Sequence, residues 1–270
     1  MLPGEFVSTD LKRVETEIQA VALSAGRMVR EERDLRLPDP DSKSSHADLV
    51  TATDRKANDR IVGLLQKSFP GFQIVSEEAE DVDGNAHRIY VDPIDGTMNF
   101  VHGFREVAVS IGYWSDGEAK VGVVYNPFTD DLFSAAAGHG ATLNGRRIAP
   151  STARRLEDCL VGSGWPYDKT AVAHAAGVMG NVCSSVREVR TIGSAALAVC
   201  YVASGVFDGF WEWTLEPWDL AAAVAIAREA GATVSTATGQ AFSLESPSVA
   251  AATPIIHGSL VDVVNHGTPS

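Results

Sequence analysis

The most informative stretch of the chain reads VDPIDGTMNF and covers residues 91–100. It continues an apolar run that begins at residue 88 and is typical of a β-strand. Pro93 fixes one backbone angle, and Gly96 permits a bend that most residues would resist. The strand is therefore predicted to end in a rigid turn that carries two acids and a hydroxyl on one side.

The two acids of this turn, Asp92 and Asp95, are candidate metal ligands. Like charges held close together are costly unless a cation lies between them. Oxygen ligands with no neighbouring His or Cys suit Mg²⁺, or Mn²⁺ as a substitute, better than Zn²⁺. An isolated Asp-x-x-Asp turn is more often a solvated loop, so the assignment depends on the other acidic segments of the chain.

Three further segments accompany this turn in order along the chain. They read DLVTATD at residues 48–54, SEE at residues 76–78, and WD at residues 218–219 followed by REAG at residues 228–231. Together the four segments resemble the inositol monophosphatase family of magnesium-dependent, lithium-sensitive phosphatases. The resemblance covers roughly residues 10–255. It implies an α+β fold, a layered α-β-α-β-α sandwich of the inositol monophosphatase and sugar phosphatase type.

The composition excludes several classes of partner. A hydrophobic content of 45% and a charged content of 21% in 270 residues are ordinary for a globular protein. The net charge of −13 and the absence of a basic run argue against a nucleic-acid partner. No apolar run is long enough for a membrane span, the N-terminus does not resemble a signal peptide, and three Cys without paired spacing are typical of a reducing compartment. We expect a cytoplasmic protein that binds no membrane.

The hydrophobic periodicity predicts the order of the secondary-structure elements. Helices are expected at residues 10–32, from 54 to about 69, and at 168–180, 194–204 and 218–230. Strands are expected at 107–114, 120–125, 132–136, 141–143, 160–162, 186–189 and 206–211, with a polar loop at 34–47 and a tight turn at Asn144-Gly145.

The rhythm of these elements changes near residues 148–158, where a strand meander gives way to alternating strands and helices. We therefore divide the chain into two parts. Residues 1–150 form a helix pair plus an antiparallel sheet that carries most metal ligands. Residues 151–270 form an α/β half that carries the substrate-side residues and Asp219.

The family resemblance implies a ligand set for two or three Mg²⁺ ions. It assigns Glu77, Asp92 and the Ile94 carbonyl to one ion. It assigns Asp92, Asp95 and Asp219 to a second ion, so that Asp92 bridges the two. Glu77 is also expected to orient a third ion through water. Taken alone, Asp219 would be read as an acid in the first turn of a helix.

The resemblance implies catalytic roles for Asp54, Thr97 and Glu77. Asp54 and Thr97 would share a hydrogen bond and orient the attacking water. Lys43 is a candidate for helping to place metal and water. Without the resemblance, these residues would be a helix-start acid, a turn residue, a strand-end acid and a solvated loop lysine.

Substrate contacts are expected from backbone turns and from acids near the end of the chain. The phosphate- and substrate-contacting positions of the family match Gly96, Thr97, Gly193, Ser194 and Ala195, whose backbone amides could bind a phosphate. Glu212 and Asp219 match substrate-contacting acids, although Glu212 alone could be a surface acid at a strand end. Trp213 and Glu216 replace smaller or basic residues of the family, so both are expected to reshape the substrate side of the pocket, and Glu216 is a candidate specificity residue.

The sequence predicts a metal-dependent phosphomonoesterase for small phosphorylated polyols. A myo-inositol monophosphate is the expected substrate, and a homodimer is the expected assembly. The alternatives left open are a sugar phosphate or fructose 1,6-bisphosphate, histidinol phosphate, and a nucleotide 3′-phosphate. A non-catalytic, metal-binding interaction protein is the alternative from another class, and it is disfavoured because the acids and the threonine of the expected site are all present.

Overall fold

The structure, a computed structural model, describes residues 10–35, 40–42, 49–78, 86–166 and 168–265. The helices within these ranges are α1 Leu11–Leu35, α2 Ala52–Ser68, α3 Thr97–His102, α4 Val172–Cys183, α5 Ala195–Ala203, α6 Pro217–Ala230 and α7 His257–Asn265. The strands are β1 Pro40–Ser42, β2 Leu49–Thr51, β3 Gln73–Ser76, β4 His87–Asp95, β5 Ala108–Ser115, β6 Glu118–Asn126, β7 Asp131–Ala136, β8 Ala141–Leu143, β9 Arg146–Arg147, β10 Leu160–Ser163, β11 Glu188–Arg190, β12 Gly209–Trp213, β13 Thr233–Ser235 and β14 Ser248–Ala252.

The first sheet has seven strands in the order β3-β4-β5-β6-β7-β8-β9. Strands β3 and β4 run parallel, and every later pair is antiparallel. Asn144 and Gly145 have φ values of 50° and 74°, as a tight Asn-Gly hairpin turn requires. Helices α1 and α2 cover one face of this sheet, because the apolar stripe of α1 is buried against α2 and the strands.

Helices α5 and α6 cover the opposite face of the first sheet. Residues 220–227 of α6 are all buried, because the helix lies between two sheets. The helix approaches the strands closely at Gly112 and Gly122. A Cβ on Gly122 would lie 2.1 Å from the Ala222 carbonyl oxygen, so only glycine allows this approach.

The second sheet has five strands in the order β11-β10-β12-β14-β13. Strand β10 is parallel to both of its neighbours, and β14 is antiparallel to both of its own. Helices α4 and α7 pack against its outer face in a separate apolar cluster. The layers therefore run α1/α2, first sheet, α5/α6, second sheet, α4/α7. The predicted α-β-α-β-α sandwich is confirmed.

Several boundaries of the second part differ from the sequence prediction, and the starts of β12 and α4 have a local reason. Strand β12 starts at Gly209 rather than at 206, because the amides of Val206 and Phe207 bond back to the Tyr201 carbonyl and end helix α5. Helix α4 starts at Val172 rather than at 168, because Asp168 accepts hydrogen bonds from the amide and hydroxyl of Thr170 in a turn.

Some elements were not expected at all. The turn after β4 continues into the short helix α3, which is bounded by Gly96 and Gly103 with φ values of 94° and 80°. Residues 40–42, assigned to a loop, form strand β1 and pair with β2. Strands β13 and β14 and helix α7 also lack a counterpart in the prediction. Short elements near the end of the chain carry too few periodic residues to be recognised.

The division of the chain near residue 150 stays a prediction. Helices α5 and α6 lie beyond that point and nevertheless contact both sheets. None of the described helices combines the length and the apolar character needed to cross a lipid bilayer.

We expect Gly122→Ala to destabilise the protein by about 1–3 kcal/mol, because the added methyl group would collide with the α6 backbone. The measurement is the free energy of unfolding in denaturant. Gly63→Ala is the matched control. Gly63 lies inside α2, and a Cβ added there would have nothing within 4 Å, so alanine should stabilise by roughly 0.5–1 kcal/mol. Equal effects of the two changes would contradict the close packing of α6.

Candidate active site

A cleft of about 1130 Å³ opens where the end of β4 meets the first turns of α5 and α6. Its walls include the acids Glu77, Asp92, Asp95, Glu212, Glu216 and Asp219. Lys169 is the only lysine or arginine among the described residues that line the cleft. The cleft is therefore strongly acidic, like the chain as a whole, and apart from Asp54 it is lined by every acid that the sequence singled out.

Asp92 and Asp95 reach the same face of the first sheet because β4 contains a bulge. Asp92 pairs with Ser110 of β5 and Asp95 pairs with Ala108, so three steps along β4 oppose two steps along β5. Residues three apart on a regular strand point to opposite faces. The extra residue of the bulge reverses that relation, and both carboxylates face the α5/α6 layer.

Both acids were predicted in a turn beyond the strand, but they lie inside β4, and local hydrogen bonds hold its bulge and the turn that follows. Asp92 is only 3% exposed, and its Oδ1 accepts a hydrogen bond of 2.9 Å from the Ile94 amide. The Thr97 hydroxyl donates to the Ile94 carbonyl over 3.2 Å. The Ile94 carbonyl, a predicted ligand, therefore lies between the predicted bridging acid and the predicted catalytic threonine.

Asp95 caps the first turn of helix α5. Its carboxylate accepts hydrogen bonds from the Ser194 hydroxyl and from the amides of Ala195, at 3.3 Å, and Ala196, at 2.9 Å. A carboxylate at a helix N-terminus is stabilised by these amides and by the helix dipole. The expectation of an open Ala195 amide for phosphate is wrong in this conformation, because Asp95 already accepts its hydrogen.

Asp219 lies in the first turn of α6 and forms a capping box with Glu216. The Glu216 amide donates to Asp219 Oδ2 over 2.8 Å, and the Glu216 side chain accepts from the backbone of Asp219. The simple reading of Asp219 as a first-turn acid is therefore correct, but it is incomplete. The charge of Asp219 also raises the pKa of Asp92 and of Glu212, so the same side chain lies close to the other acids.

Glu77 and Asp54 approach the same place from two other elements. Glu77 follows β3, and its amide donates to the Val91 carbonyl over 3.3 Å, next to Asp92. Asp54 lies in the first turn of α2 and is 2% exposed. The charges of both residues raise the pKa of Asp92, so the structure brings them near it. The predicted Lys43 lies outside the described residues.

Burial is the main reason why the acids of the cleft resist ionisation. It raises the pKa of Asp92 well above its ordinary value, and the charges of Glu77, Asp95, Asp219 and Asp54 add to the effect. Burial also raises the pKa of Asp95, but only to about 6, because the hydrogen bonds from Ser194 and the α5 amides favour the charged form.

Glu212 lies at the end of β12, within the cleft. Burial, and then the charges of Asp219 and Asp95, raise its pKa well above the ordinary value. Its carboxylate rests against Gly164, where an added Cβ would come within 1.9 Å of Oε1. The alternative of a surface acid is therefore wrong. Trp213 was expected to reshape the pocket, but it packs in the apolar cluster against α4 and its ring contacts His174.

The donor set of the cleft suits a hard cation. Carboxylate and carbonyl oxygens without nitrogen or sulfur are the ligands that Mg²⁺ takes in proteins. Within the described part of the chain, no three His, Cys, Asp or Glu side chains already form a closed metal cluster. The carboxylates line the cleft from several sides, and their mutual repulsion would be relieved by a cation held between them.

Asn99 is a site residue to which the sequence analysis gave no role. Its Nδ2 donates to the carbonyls of Glu106 and Ile192, both over 2.7 Å. Gly96 and Gly193 pack against this junction at positive φ, and a Cβ on Gly193 would lie 2.9 Å from Nδ2. Asn99 therefore joins the turn after β4 to the segment before α5. The sequence signal that could have identified Asn99 is its position inside the segment 91–100.

Comparison with known proteins gives this arrangement a family. The sequence matches the inositol monophosphatase family over residues 10–267. The chain belongs to the inositol monophosphatase family. Members of the family are phosphoric monoester hydrolases of a magnesium-dependent superfamily that act on small phosphorylated substrates, and this chain is accordingly a phosphoric monoester hydrolase.

Individual relatives share most of their length with this phosphatase. An inositol-1-monophosphatase of Mesorhizobium japonicum is 40% identical over 220 residues, which are 80% of this chain and 83% of the relative. A fructose-1,6-bisphosphatase/inositol-1-monophosphatase of Thermotoga maritima is 36% identical over 85% of this chain and 88% of its own. The crystal structure of the extragenic suppressor protein suhB of Bartonella henselae superposes with a TM-score of 0.90 at 37% identity, covering 95% and 100% of the two chains.

The raised pKa of Asp95 predicts that the metal-free phosphatase loses stability as the pH rises. The carboxyl has an ordinary pKa of 3.8 and a pKa of about 6 in the folded protein, so folding takes up a proton between these values. Its contribution is complete below the lower value and is lost as the pH rises through the upper one. We expect the melting temperature of chelator-treated protein to fall across this window relative to that of Asp95→Asn.

The control for this measurement is Asp59→Asn, because Asp59 is exposed on α2 and its removal should leave the pH profile unchanged. Added Mg²⁺ should restore the melting temperature near the upper limit of this pH window, since a cation binds the ionised carboxylates. Identical pH profiles for the wild type and Asp95→Asn would contradict the proton uptake at Asp95.

Proposed function

We propose that this phosphatase hydrolyses monoesters of small polyols with the help of Mg²⁺, and that a myo-inositol monophosphate is its substrate. The observation that carries the proposal is the collection of buried carboxylates at one end of β4 and α6. The name of the Mesorhizobium relative supports the choice of substrate. The family is generally metal-dependent and lithium-sensitive, and we extend both properties to this chain.

The proposed Mg²⁺ ligands are the carboxylates of Glu77, Asp92, Asp95 and Asp219 and the carbonyl of Ile94. A divalent cation held there would neutralise the charge of the phosphoryl oxygens and help to activate a water molecule. Two of the carboxylates are already oriented by backbone donors. Asp92 is fixed by the Ile94 amide, and Asp95 by the first turn of α5. This preorientation reduces the reorganisation that ligand binding requires.

Proton transfer is assigned to Asp54 and Thr97. In the proposed mechanism the Thr97 hydroxyl orients the attacking water, and the Asp54 carboxylate accepts its proton through that hydroxyl. In the structure the Thr97 hydroxyl donates to the Ile94 carbonyl over 3.2 Å, so the relay requires the hydroxyl to turn from that carbonyl to Asp54. Thr97 thus lies beside one proposed ligand, and Asp54 lies near another, since its charge raises the pKa of Asp92. The amides of Gly96 and Thr97, at the start of α3, are the proposed phosphate donors.

The substrate hydroxyls are assigned to Glu212. A carboxylate accepts hydrogen bonds from neighbouring hydroxyls of a polyol, and Glu212 lines the cleft beside Asp219. A second phosphate would meet an acidic wall that offers only Lys169 among the described lining residues. This balance of charge favours a monophosphate. Fructose 1,6-bisphosphate is the second candidate, because the Thermotoga relative carries both activities in its name.

The remaining expectations have no structural test and stay predictions. They are the homodimer, the cytoplasmic location, the absence of a nucleic-acid partner, the number of Mg²⁺ ions and the substitution by Mn²⁺. Histidinol phosphate and nucleotide 3′-phosphates likewise stay open as substrates, and an assay on a panel of esters separates them.

We expect Asp92→Asn to lower the turnover of inositol 1-phosphate about 100-fold or more. Replacing a residue that only hydrogen-bonds to a metal ligand typically lowers metal affinity or activity about 10–100-fold, and the loss of a direct ligand should cost at least as much. The measurement is phosphate release as a function of Mg²⁺ concentration. Melting temperature without metal should hold or rise, since the change relieves repulsion. Asp59→Asn is the control and should behave as wild type. Near wild-type turnover of Asp92→Asn at saturating Mg²⁺ would refute the proposed ligand set.

We expect Glu216→Gln to raise kcat/KM for fructose 1,6-bisphosphate relative to inositol 1-phosphate by about fivefold, since a charge a few ångströms away contributes about 1 kcal/mol. Glutamine can still accept the hydrogen bond of the capping box, whereas Glu216→Arg would remove it and disturb Asp219. Glu245→Gln, an exposed change outside the cleft, is the control. An unchanged ratio would show that Glu216 does not select the ester.

A further inference from the structure

Ser110 is a fully buried residue whose hydroxyl has no hydrogen-bond partner among the residues that the structure describes. Leaving a buried hydroxyl unpaired is costly, and such groups are rare in folded proteins. Ser110 is not in the proposed catalytic machinery. The strand pairing of the first sheet identifies the side chains next to the Ser110 hydroxyl.

Ser110 lies on β5 directly opposite Asp92 of β4. Directly opposed residues of an antiparallel pair project from the same face, with Cβ atoms about 4.5–5.5 Å apart. On its other side Ser110 is paired with Val124 of β6, which offers no polar side-chain atom. Of its two cross-strand neighbours, only Asp92 can accept a hydrogen bond from the hydroxyl.

The face that Ser110 shares with Asp92 is the inner face of the sheet. Gly112, two residues further along β5, lies on the same face and touches the backbone of Ala221 and Ala222 in α6. The hydroxyl is therefore enclosed between the strand and the helix layer, at the buried side of the acidic cleft. The Asp92 carboxylate uses Oδ1 for the Ile94 amide, so its second oxygen remains to be oriented.

We propose that Ser110 is a positioning residue for Asp92, whose ionised carboxylate accepts a hydrogen bond from the Ser110 hydroxyl, directly or through one buried water molecule. The inference rests on the proposed function of Asp92 as a metal ligand. A hydrogen bond to an ionised carboxylate is about twice as strong as a neutral one. It would fix the orientation of the second carboxylate oxygen, which the Ile94 amide does not hold.

A purely structural role for Ser110 predicts a different result. If the hydroxyl is only an unpaired polar group, its removal stabilises the protein and changes nothing else. If it positions Asp92, its removal weakens metal binding while the metal-free protein keeps or gains stability. The two cases therefore differ in the affinity for Mg²⁺, and turnover is not needed to separate them.

The experiment is isothermal titration of Mg²⁺ into metal-free wild type, Ser110→Ala and Ser110→Cys, together with melting temperatures with and without the ion. We expect Ser110→Ala to lower the affinity for Mg²⁺ about 10-fold or more, with a correspondingly smaller rise in melting temperature on adding the ion. Ser110→Cys keeps the unbranched shape of the side chain, with a somewhat larger atom, and a weak donor, so its loss should be smaller.

Ser134→Ala is the matched control. Ser134 is a buried serine of β7 whose hydroxyl bonds Glu15 on the α1 side, so its removal should lower stability without changing the affinity for Mg²⁺. Wild-type affinity in Ser110→Ala overturns the inference. If Ser110→Ala fails to fold, Ser110→Cys takes its place, and wild-type Mg²⁺ affinity in that variant, whose donor is weakened, overturns the inference. Asp92→Asn tests the proposed ligand set separately from the role of Ser110, because retained Mg²⁺ binding in Asp92→Asn would refute the ligand set itself.

Discussion

Repulsion among buried carboxylates is the constraint on which this structure depends. Asp92 and Asp95 lie at the end of β4 and Asp219 at the start of α6, where the first sheet meets the α5/α6 layer. Asp92 and Asp95 are buried, and Asp219 is half-buried. The fold offsets part of this cost with backbone donors. Asp95 receives most of them, and its pKa is accordingly raised only to about 6, whereas Asp92 has one backbone donor and several neighbouring acids. The remaining cost is what a cation would remove.

Much of the fold and of the site could be predicted from the sequence because the signals are local. An apolar run followed by Gly96 predicts β4 and its end, although Pro93 lies inside the strand at its bulge, and apolar spacing reveals α1, α2 and α6. The resemblance collected acids from distant segments, and the structure brings Asp54, Glu77 and Asp219 near Asp92. Each feature that was predicted correctly is therefore visible in the sequence of a single segment and its immediate neighbours.

The rest depended on contacts between segments that are distant in the chain. The bulge of β4 is a matter of register with β5, and no feature of residues 92–95 alone fixes that register. The capping of α5 by Asp95 and the bridging amide of Asn99 likewise join residues about a hundred positions apart. Trp213 packs away from the cleft because α4 and α7 cover that face of the second sheet, which a linear segment does not reveal.

The close approach of α6 to β5 and β6 also has a consequence for the growing chain. The strands of the first sheet are neighbours in sequence and can pair early, since local contacts form fastest. Their inner face, with Gly112 and Gly122 open to receive α6, stays uncovered until that much later helix has been synthesised. A nascent chain therefore carries an uncovered, apolar sheet face in water through much of its synthesis, and it is then most prone to aggregate or to be captured by a chaperone.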